Sequence, residues 1–80
     1  MKRGPWGDGA VVVASLESDD GFRCVDIVRA ADGLYLFDEW RRDPEDPSGW
    51  HLVFANADKR YSDEAPARAA AAAATAWLPA

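Results

Sequence analysis

The chain has 80 residues, of which 49% are apolar, with a formal net charge of −5 and an isoelectric point near 4.6. This length accommodates one small domain with a core of marginal size, and the apolar fraction excludes a disordered chain. The acidic balance opposes binding to nucleic acid or to an anionic membrane, because phosphate contacts need a cationic surface.

The N-terminal residues 1–9 contain two cations, three glycines and a proline, and we interpret them as a flexible arm. They lack the apolar stretch of a secretory signal, and the following Val11-Val12-Val13 is far too short to span a bilayer. A single cysteine, Cys24, excludes an internal disulfide. We therefore expect a cytoplasmic protein, and abundant alanine without any glutamine suggests a GC-rich bacterial genome.

Two Asp-Gly pairs, Asp20-Gly21 and Asp32-Gly33, separate the first three apolar runs of the chain. Asp-Gly is typical of a two-residue type I′ turn, which joins antiparallel strands and sets their register. A loop with two prolines, residues 43–49, precedes a fourth run. The four runs span residues 10–18, 22–31, 34–42 and 50–55. The pattern predicts a four-stranded antiparallel meander in the order 1-2-3-4 over residues 10–55.

The C-terminal part of the chain changes to a helical pattern. Ser62 or Asp63 can cap a helix, Pro66 is tolerated in its first turn, and the alanine-rich stretch that follows favours helix. We predict a helix over residues 62–78 that packs on one face of the sheet, which makes the chain a single two-layer α+β domain. At 100° per residue, the side predicted to meet the sheet contains Pro66, Ala69, Ala70, Ala73 and Trp77.

Strand alternation with two-residue turns divides the predicted sheet into two unlike faces. The mainly apolar face, expected under the helix, consists of Val12, Ala14, Leu16, Val25, Ile27, Leu36, Trp40, Trp50, Leu52 and Phe54. The other face has no helix to cover it, and an apolar patch of that kind is typical of an association surface. Its predicted binding residues are Val28, Tyr35, Phe37 and Val53 at the centre, with Asp26, Glu39, Arg41 and His51 as the polar part. The alternative is that Lys59, Arg60, Tyr61 and the N-terminal arm fold over it.

The same register places Asp26 opposite Glu39, with Arg41 paired to His51 beside them. Two close carboxylates can raise one pKa into a range useful for acid–base chemistry, so this cluster is where an enzymatic function would reside. A surface ion-pair network produces the same pattern, and we favour that interpretation. The alternative function is a small-molecule-binding or hydrolytic enzyme that uses these four residues.

Other candidate sites find less support in the residue pattern. Cys24 and His51 lie on non-adjacent predicted strands, roughly 10 Å apart, which is too far for a catalytic dyad. The loop of residues 43–49, here called the acidic loop, contains two prolines that disrupt the spacing of a calcium site. His51 has no second histidine with which to hold zinc. Arg42, predicted opposite Trp50, is placed for a cation–π contact.

No residue cluster identifies an activity from sequence alone. We expect a non-enzymatic interaction module that binds a protein partner or a second copy of itself through the face without a helix. We expect no cofactor, no metal, and no nucleic-acid or membrane partner.

Overall fold

The computed structural model describes residues 9–55 and 59–78. It contains the following elements in chain order: β1 (Val11–Glu17), β2 (Arg23–Arg29), β3 (Tyr35–Arg41), β4 (His51–Ala55) and α1 (Glu64–Ala74). The strands form one antiparallel sheet in the order β1-β2-β3-β4, and α1 packs against β2 and β3. The predicted meander with one C-terminal helix is therefore confirmed. The arm predicted over residues 1–9 lies outside the described residues except for Gly9.

The first Asp-Gly pair lies in a four-residue loop and not in a two-residue type I′ turn. Ser18 pairs with Arg23 across the loop, and the Gly21 N–H donates to the Ser18 carbonyl at 3.0 Å. A type I′ turn needs positive φ at both central residues, but only glycines have positive φ in the described ranges, so Asp20 does not fit it. Because both loop types leave Ser18 opposite Arg23, the predicted pairing of Leu16 with Val25 is nevertheless confirmed.

The second Asp-Gly pair changes the register. The Ala30 N–H donates to the Leu34 carbonyl at 2.8 Å, so the loop has three residues and Gly33, with φ of 84°, ends it. Val25 consequently pairs with Glu39, and the predicted pairing with Trp40 is wrong. Since side chains alternate between faces, this shift of one residue moves every β3 side chain to the face opposite the predicted one.

The face under α1 has a smaller apolar core than predicted. Its buried residues are Val25, Ile27 and Phe37 from the sheet, with Ala67, Ala71 and Leu78 from the C-terminal part. Leu36 and Trp40, predicted for this face, lie on the other one because β3 is shifted, and Leu52 is paired with Trp40 there. Val12 also changes face, because a bulge between Val12 and Ala14 adds one residue to β1.

Helix α1 is shorter than predicted and has a different buried side. It begins after Asp63, whose side chain makes no capping hydrogen bond, and it ends before Thr75, which has extended dihedrals. Ala67 and Ala71 are fully buried, whereas the predicted contact residue Ala69 is exposed. A stretch of alanines has no apolar periodicity of its own, so contacts outside the helix set its rotation. In the described ranges, no helix is both long and apolar enough to cross a bilayer.

Two contacts beyond the helix hold the C-terminal part against the sheet. Before α1, Tyr61 exchanges backbone hydrogen bonds of 2.7 and 2.9 Å with Tyr35. After α1, the Leu78 N–H donates to the Thr75 carbonyl at 3.1 Å, and this turn places Leu78 in the core. These two anchors determine which alanines of α1 meet β2 and β3.

Candidate functional site

The predicted binding surface is divided between the two faces of the sheet. Asp26 and Val28 lie on the face opposite α1, where they are only 3% and 2% exposed. Tyr35, Phe37 and Glu39 lie on the face under α1, and Phe37 belongs to its apolar core. The physical reason is the three-residue loop before β3, which shifts that strand by one position. These five residues therefore do not form one accessible surface.

The remaining predicted residues, Arg41, His51 and Val53, come together at the end of the sheet. Arg41 pairs with His51 as predicted. With Asp43 and Asp46 they line an open depression of about 330 Å³. The depression lies beside the loop between β3 and β4, and its polar groups are exposed to solvent.

Asp46, Ser48 and His51 have the residue types of a hydrolytic triad but not its geometry. Ser48 Oγ lies 2.9 Å from His51 Nε2, and Asp46 Oδ2 lies 3.2 Å from the same nitrogen. A triad needs the acid and the nucleophile on different ring nitrogens, so that one orients the imidazole while the other exchanges its proton. Here both oxygens contact the same nitrogen, Nε2. The three side chains therefore stabilise the loop between β3 and β4 and do not form a triad.

The carboxylate of Asp46 is nevertheless held in its charged form. The Ser48 hydroxyl donates to Asp46 Oδ1 at 2.6 Å, and the Ser48 backbone N–H donates to the same oxygen at 2.9 Å. These hydrogen bonds, with a smaller contribution from His51, lower the pKa of Asp46 below its ordinary value. An acid whose pKa is lowered in this way is a poor proton donor at neutral pH, which argues against general acid catalysis.

A buried polar cluster occupies the face opposite α1. Asp26 lies directly opposite Asp38 and not opposite Glu39 as predicted. Ser15 Oγ donates to Asp26 Oδ1 at 2.7 Å, and Cys24 Sγ lies 3.1 Å from Ser15 Oγ and 3.3 Å from Asp26 Oδ1. Cys24 is fully buried and lies on β2, two strands from His51, in agreement with their predicted separation.

The second half of this cluster pairs Asp38 with Trp40. The indole Nε1 of Trp40 donates to Asp38 Oδ1 at 2.6 Å, and both side chains are at most 3% exposed. Among the described residues, every buried side-chain nitrogen and oxygen has a hydrogen-bond partner. A satisfied and inaccessible network of this kind fixes a structure and offers no open position for a substrate.

On the other face, Glu39 is a contact of the C-terminal turn. It pairs with Val25 across the strands, and its Oε2 accepts a hydrogen bond from Trp77 Nε1 at 3.3 Å. Asp26 and Glu39 therefore point to opposite sides of the sheet and cannot share a proton or a ligand.

Two further sequence-based candidates can be compared with the geometry. In the acidic loop, Asp43 accepts a hydrogen bond from the Glu45 backbone N–H at 3.0 Å, which turns its carboxylate toward its own loop. Within residues 9–55 and 59–78, no group of three or more histidine, cysteine, aspartate or glutamate side chains is arranged to hold a metal ion. The predicted cation–π contact is confirmed, with the Arg42 guanidinium 4.7 Å from the Trp50 ring centroid.

Large apolar side chains are exposed on both edge strands, Val11 and Val12 of β1 at 47% and 54% and three consecutive residues of β4. Leu52, Val53 and Phe54, here called the edge patch, are 42%, 54% and 46% exposed. They are consecutive in an edge strand whose backbone pairs with β3 on one side. The ring of Phe54 lies 6.0 Å from that of Phe37 on the face under α1, whereas Leu52 is paired with Trp40 on the opposite face. Exposed backbone groups together with large apolar side chains make such an edge a site for strand addition.

A second apolar surface runs along α1. It is a groove of about 680 Å³ whose walls include Leu16, Ala69, Ala72 and Leu78. Arg68 is the charged residue of its lining. Alanine methyl groups bury little area, and one cation orients a ligand only weakly, so this groove is the weaker candidate.

The sequence interpretation included Val53 in the binding surface but missed Leu52 and Phe54, because it assigned both to the helix-covered core. The predicted strand order already indicated that β4 is exposed along one side, since the last strand of a meander with order 1-2-3-4 is necessarily an edge strand. The Asp38–Trp40 pair was missed for another reason. Only the correct length of the Asp32-Gly33 loop places these two side chains on the same face as Cys24 and Asp26.

Comparison of the chain with protein families, curated proteins and solved structures yields no significant match in any of the three.

Proposed function

We propose that the chain is a non-enzymatic protein-interaction module that binds through the edge patch of β4. The observation that carries this proposal is the exposure of three consecutive large apolar side chains on an edge strand. Leaving such side chains in water costs free energy that burial against a partner recovers, at roughly 25 cal/mol per Å². The surface differs from the one expected from sequence, but the class of function is the same.

Strand addition is the binding mode that this geometry favours. A partner strand would pair with the outer backbone groups of β4, and the side chains of the edge patch would provide apolar contacts. The loop residues near Arg41 and His51 form a polar border at one end, which is the usual arrangement around an apolar interface centre.

The enzymatic alternative has no comparable support. It requires Asp26 and Glu39 to act together with Arg41 and His51, but Asp26 is buried on one face and Glu39 lies on the other. Ser48 Oγ and Asp46 Oδ2 also both contact Nε2 of His51, which is not the geometry of a catalytic base in a triad.

Site-specific photo-crosslinking in the native host tests the proposal. A benzophenone amino acid in place of Val53 should give a covalent adduct with a protein. The same amino acid in place of Val12 is a matched control, because both valines are 54% exposed and lie on the two opposite edge strands. Adducts at position 53 that are no more abundant than those at position 12 would overturn the proposal.

A further inference from the structure

We infer that residues 1–8, here called the N-terminal segment, form the layer that covers the face opposite α1. In this arrangement Trp6 lies on the apolar part of the face, and Lys2 and Arg3 lie beside its buried carboxylates. The arrangement is independent of the proposed function, because it concerns the centre of the sheet and leaves the edge patch of β4 exposed.

The centre of this face is buried without a covering helix. Six side chains of β2 and β3 that point away from α1 are at most 3% exposed, namely Cys24, Asp26, Val28, Leu36, Asp38 and Trp40. Within residues 9–55 and 59–78, the helix that packs on the sheet is α1, and it lies on the other face. A face of an antiparallel sheet that lacks a covering layer is normally in contact with water. These exposures belong to a single chain, so the chain itself must provide the cover.

The covered strip is narrow. On the same face, Val12 of β1 is 54% exposed and Leu52 of β4 is 42% exposed, although they pair with the buried Val28 and Trp40. Neighbouring strands lie about 5 Å apart, so one extended segment with its side chains covers β2 and β3 and leaves the outer strands in water. A whole second layer would cover the outer strands as well.

The N-terminal segment joins the sheet at a suitable place and is long enough. Gly9 is a turn residue with φ of 84°, and a Cβ there would lie 3.0 Å from the Ala31 Cβ, so the segment meets the sheet where β2 ends. Eight extended residues reach about 26 Å, whereas a seven-residue strand is about 23 Å long. The other residues outside the described ranges, 56–58 and 79–80, are too few to cross the face.

The order of residues in the N-terminal segment matches the order of residues on the face. The apolar pair of Val28 and Leu36 lies at the end of the sheet near Gly9, and the pair of buried carboxylates follows two positions farther along β2. Trp6 precedes Gly9 by three positions, whereas the two cations precede it by six and seven. A segment that runs back along the face therefore brings its tryptophan to the apolar pair and its cations to the carboxylates.

Charge complementarity favours the same segment. Asp26 and Asp38 lie directly opposite each other and are at most 3% exposed. Carboxylates are rarely buried unless they are paired, and two that face each other on a sheet repel. Lys2 and Arg3 supply two cations, whereas the other two stretches outside the described ranges contain none. The charge of the N-terminal segment thus suits this face.

Nuclear magnetic resonance of the full chain provides the direct test. The indole protons of Trp6 should show nuclear Overhauser contacts to the methyl groups of Val28 or Leu36, because the inferred cover brings them into van der Waals contact. A Trp6 ring that contacts only its neighbours in sequence would overturn the inference. This measurement needs no variant, so its outcome does not depend on whether an altered chain folds.

Reactivity of the buried Cys24 thiol toward Ellman's reagent tests the charge contact. Replacing both Lys2 and Arg3 by glutamate should make the reaction about tenfold faster, the factor that corresponds to ~1.4 kcal/mol of lost binding of the segment. Replacing both Lys59 and Arg60 by glutamate is the matched control. It alters the same dipeptide by the same charge, and the ion pair that it removes is exposed and contributes little.

Low concentrations of urea separate release of the segment from global unfolding. Release of a short segment exposes little surface, so the faster reaction of the N-terminal variant should change little with urea below the unfolding transition. A rate that rises steeply with urea would indicate global unfolding and contradict the charge contact. Equal rates for the N-terminal variant and its control would contradict it as well.

Discussion

The two faces of the sheet are both buried at their centres but are stabilised in different ways. Under α1, apolar side chains such as Ile27 and Phe37 contact the alanine side of the helix. On the opposite face, Asp26, Asp38 and Trp40 are equally inaccessible and participate in hydrogen bonds. Apolar burial stabilises many arrangements of similar volume, whereas a satisfied polar network stabilises one register. The helix face therefore supplies the apolar burial that drives folding, and the hydrogen bonds of the polar face link β1 to β2 through Ser15 and Asp26 and hold Asp38 and Trp40 together on β3.

Truncation of the apolar core should have the largest effect. Phe37→Ala removes a ring that is 1% exposed, and we expect it to lower the free energy of unfolding by about 3–5 kcal/mol. Urea unfolding followed by tryptophan fluorescence measures this change. Phe54→Ala is the matched control, because that ring touches Phe37 but is 46% exposed. Equal losses for the two variants would mean that Phe37 does not anchor the core.

Removal of one acceptor from the polar face should have the next largest effect. Asp38→Ala leaves the buried indole N–H of Trp40 without its acceptor, and we expect a loss of about 1.5–3 kcal/mol in urea unfolding. Asp38→Asn keeps an oxygen that can accept this hydrogen bond and should lose less. If the alanine variant were as stable as the wild-type chain, the Asp38–Trp40 hydrogen bond would not contribute to the stability of the polar face.

The sequence predicted the elements better than it predicted their faces. Strand order follows from apolar runs and turn residues, which are local properties. Which face a strand presents depends on whether a loop has an even or an odd number of residues. Asp20-Gly21 and Asp32-Gly33 are the same dipeptide, yet the first lies in a four-residue loop and the second in a three-residue loop. In the observed register Leu36 and Trp40 are buried on the face opposite α1, and this burial is not a local property of the dipeptide.

The candidate site was also predicted only in part, because it depends on strand order and on which side chains are exposed. The pairing of Arg41 with His51 depended on the connection between β3 and β4, whose register beside the loop was assigned correctly. The edge patch depended on the position of β4 in the sheet, which was predicted, and on the exposure of Leu52 and Phe54, which was not. The length of the helix was overestimated because Thr75 leaves it, although the residues around it favour helix.

The rotation of α1 provides the prediction with the smallest expected effect. Ala71 is fully buried against the sheet, so Ala71→Leu should overpack the interface and lower the free energy of unfolding by about 1–3 kcal/mol. Ala69→Leu is the matched control, because the sequence pattern placed Ala69 on the sheet side whereas the structure exposes it. Both substitutions have similar helix propensity, so a difference between them reports packing alone. Urea unfolding that shows the larger loss for Ala69→Leu would contradict the rotation and, with it, the assignment of Ile27 and Phe37 to the helix-covered core.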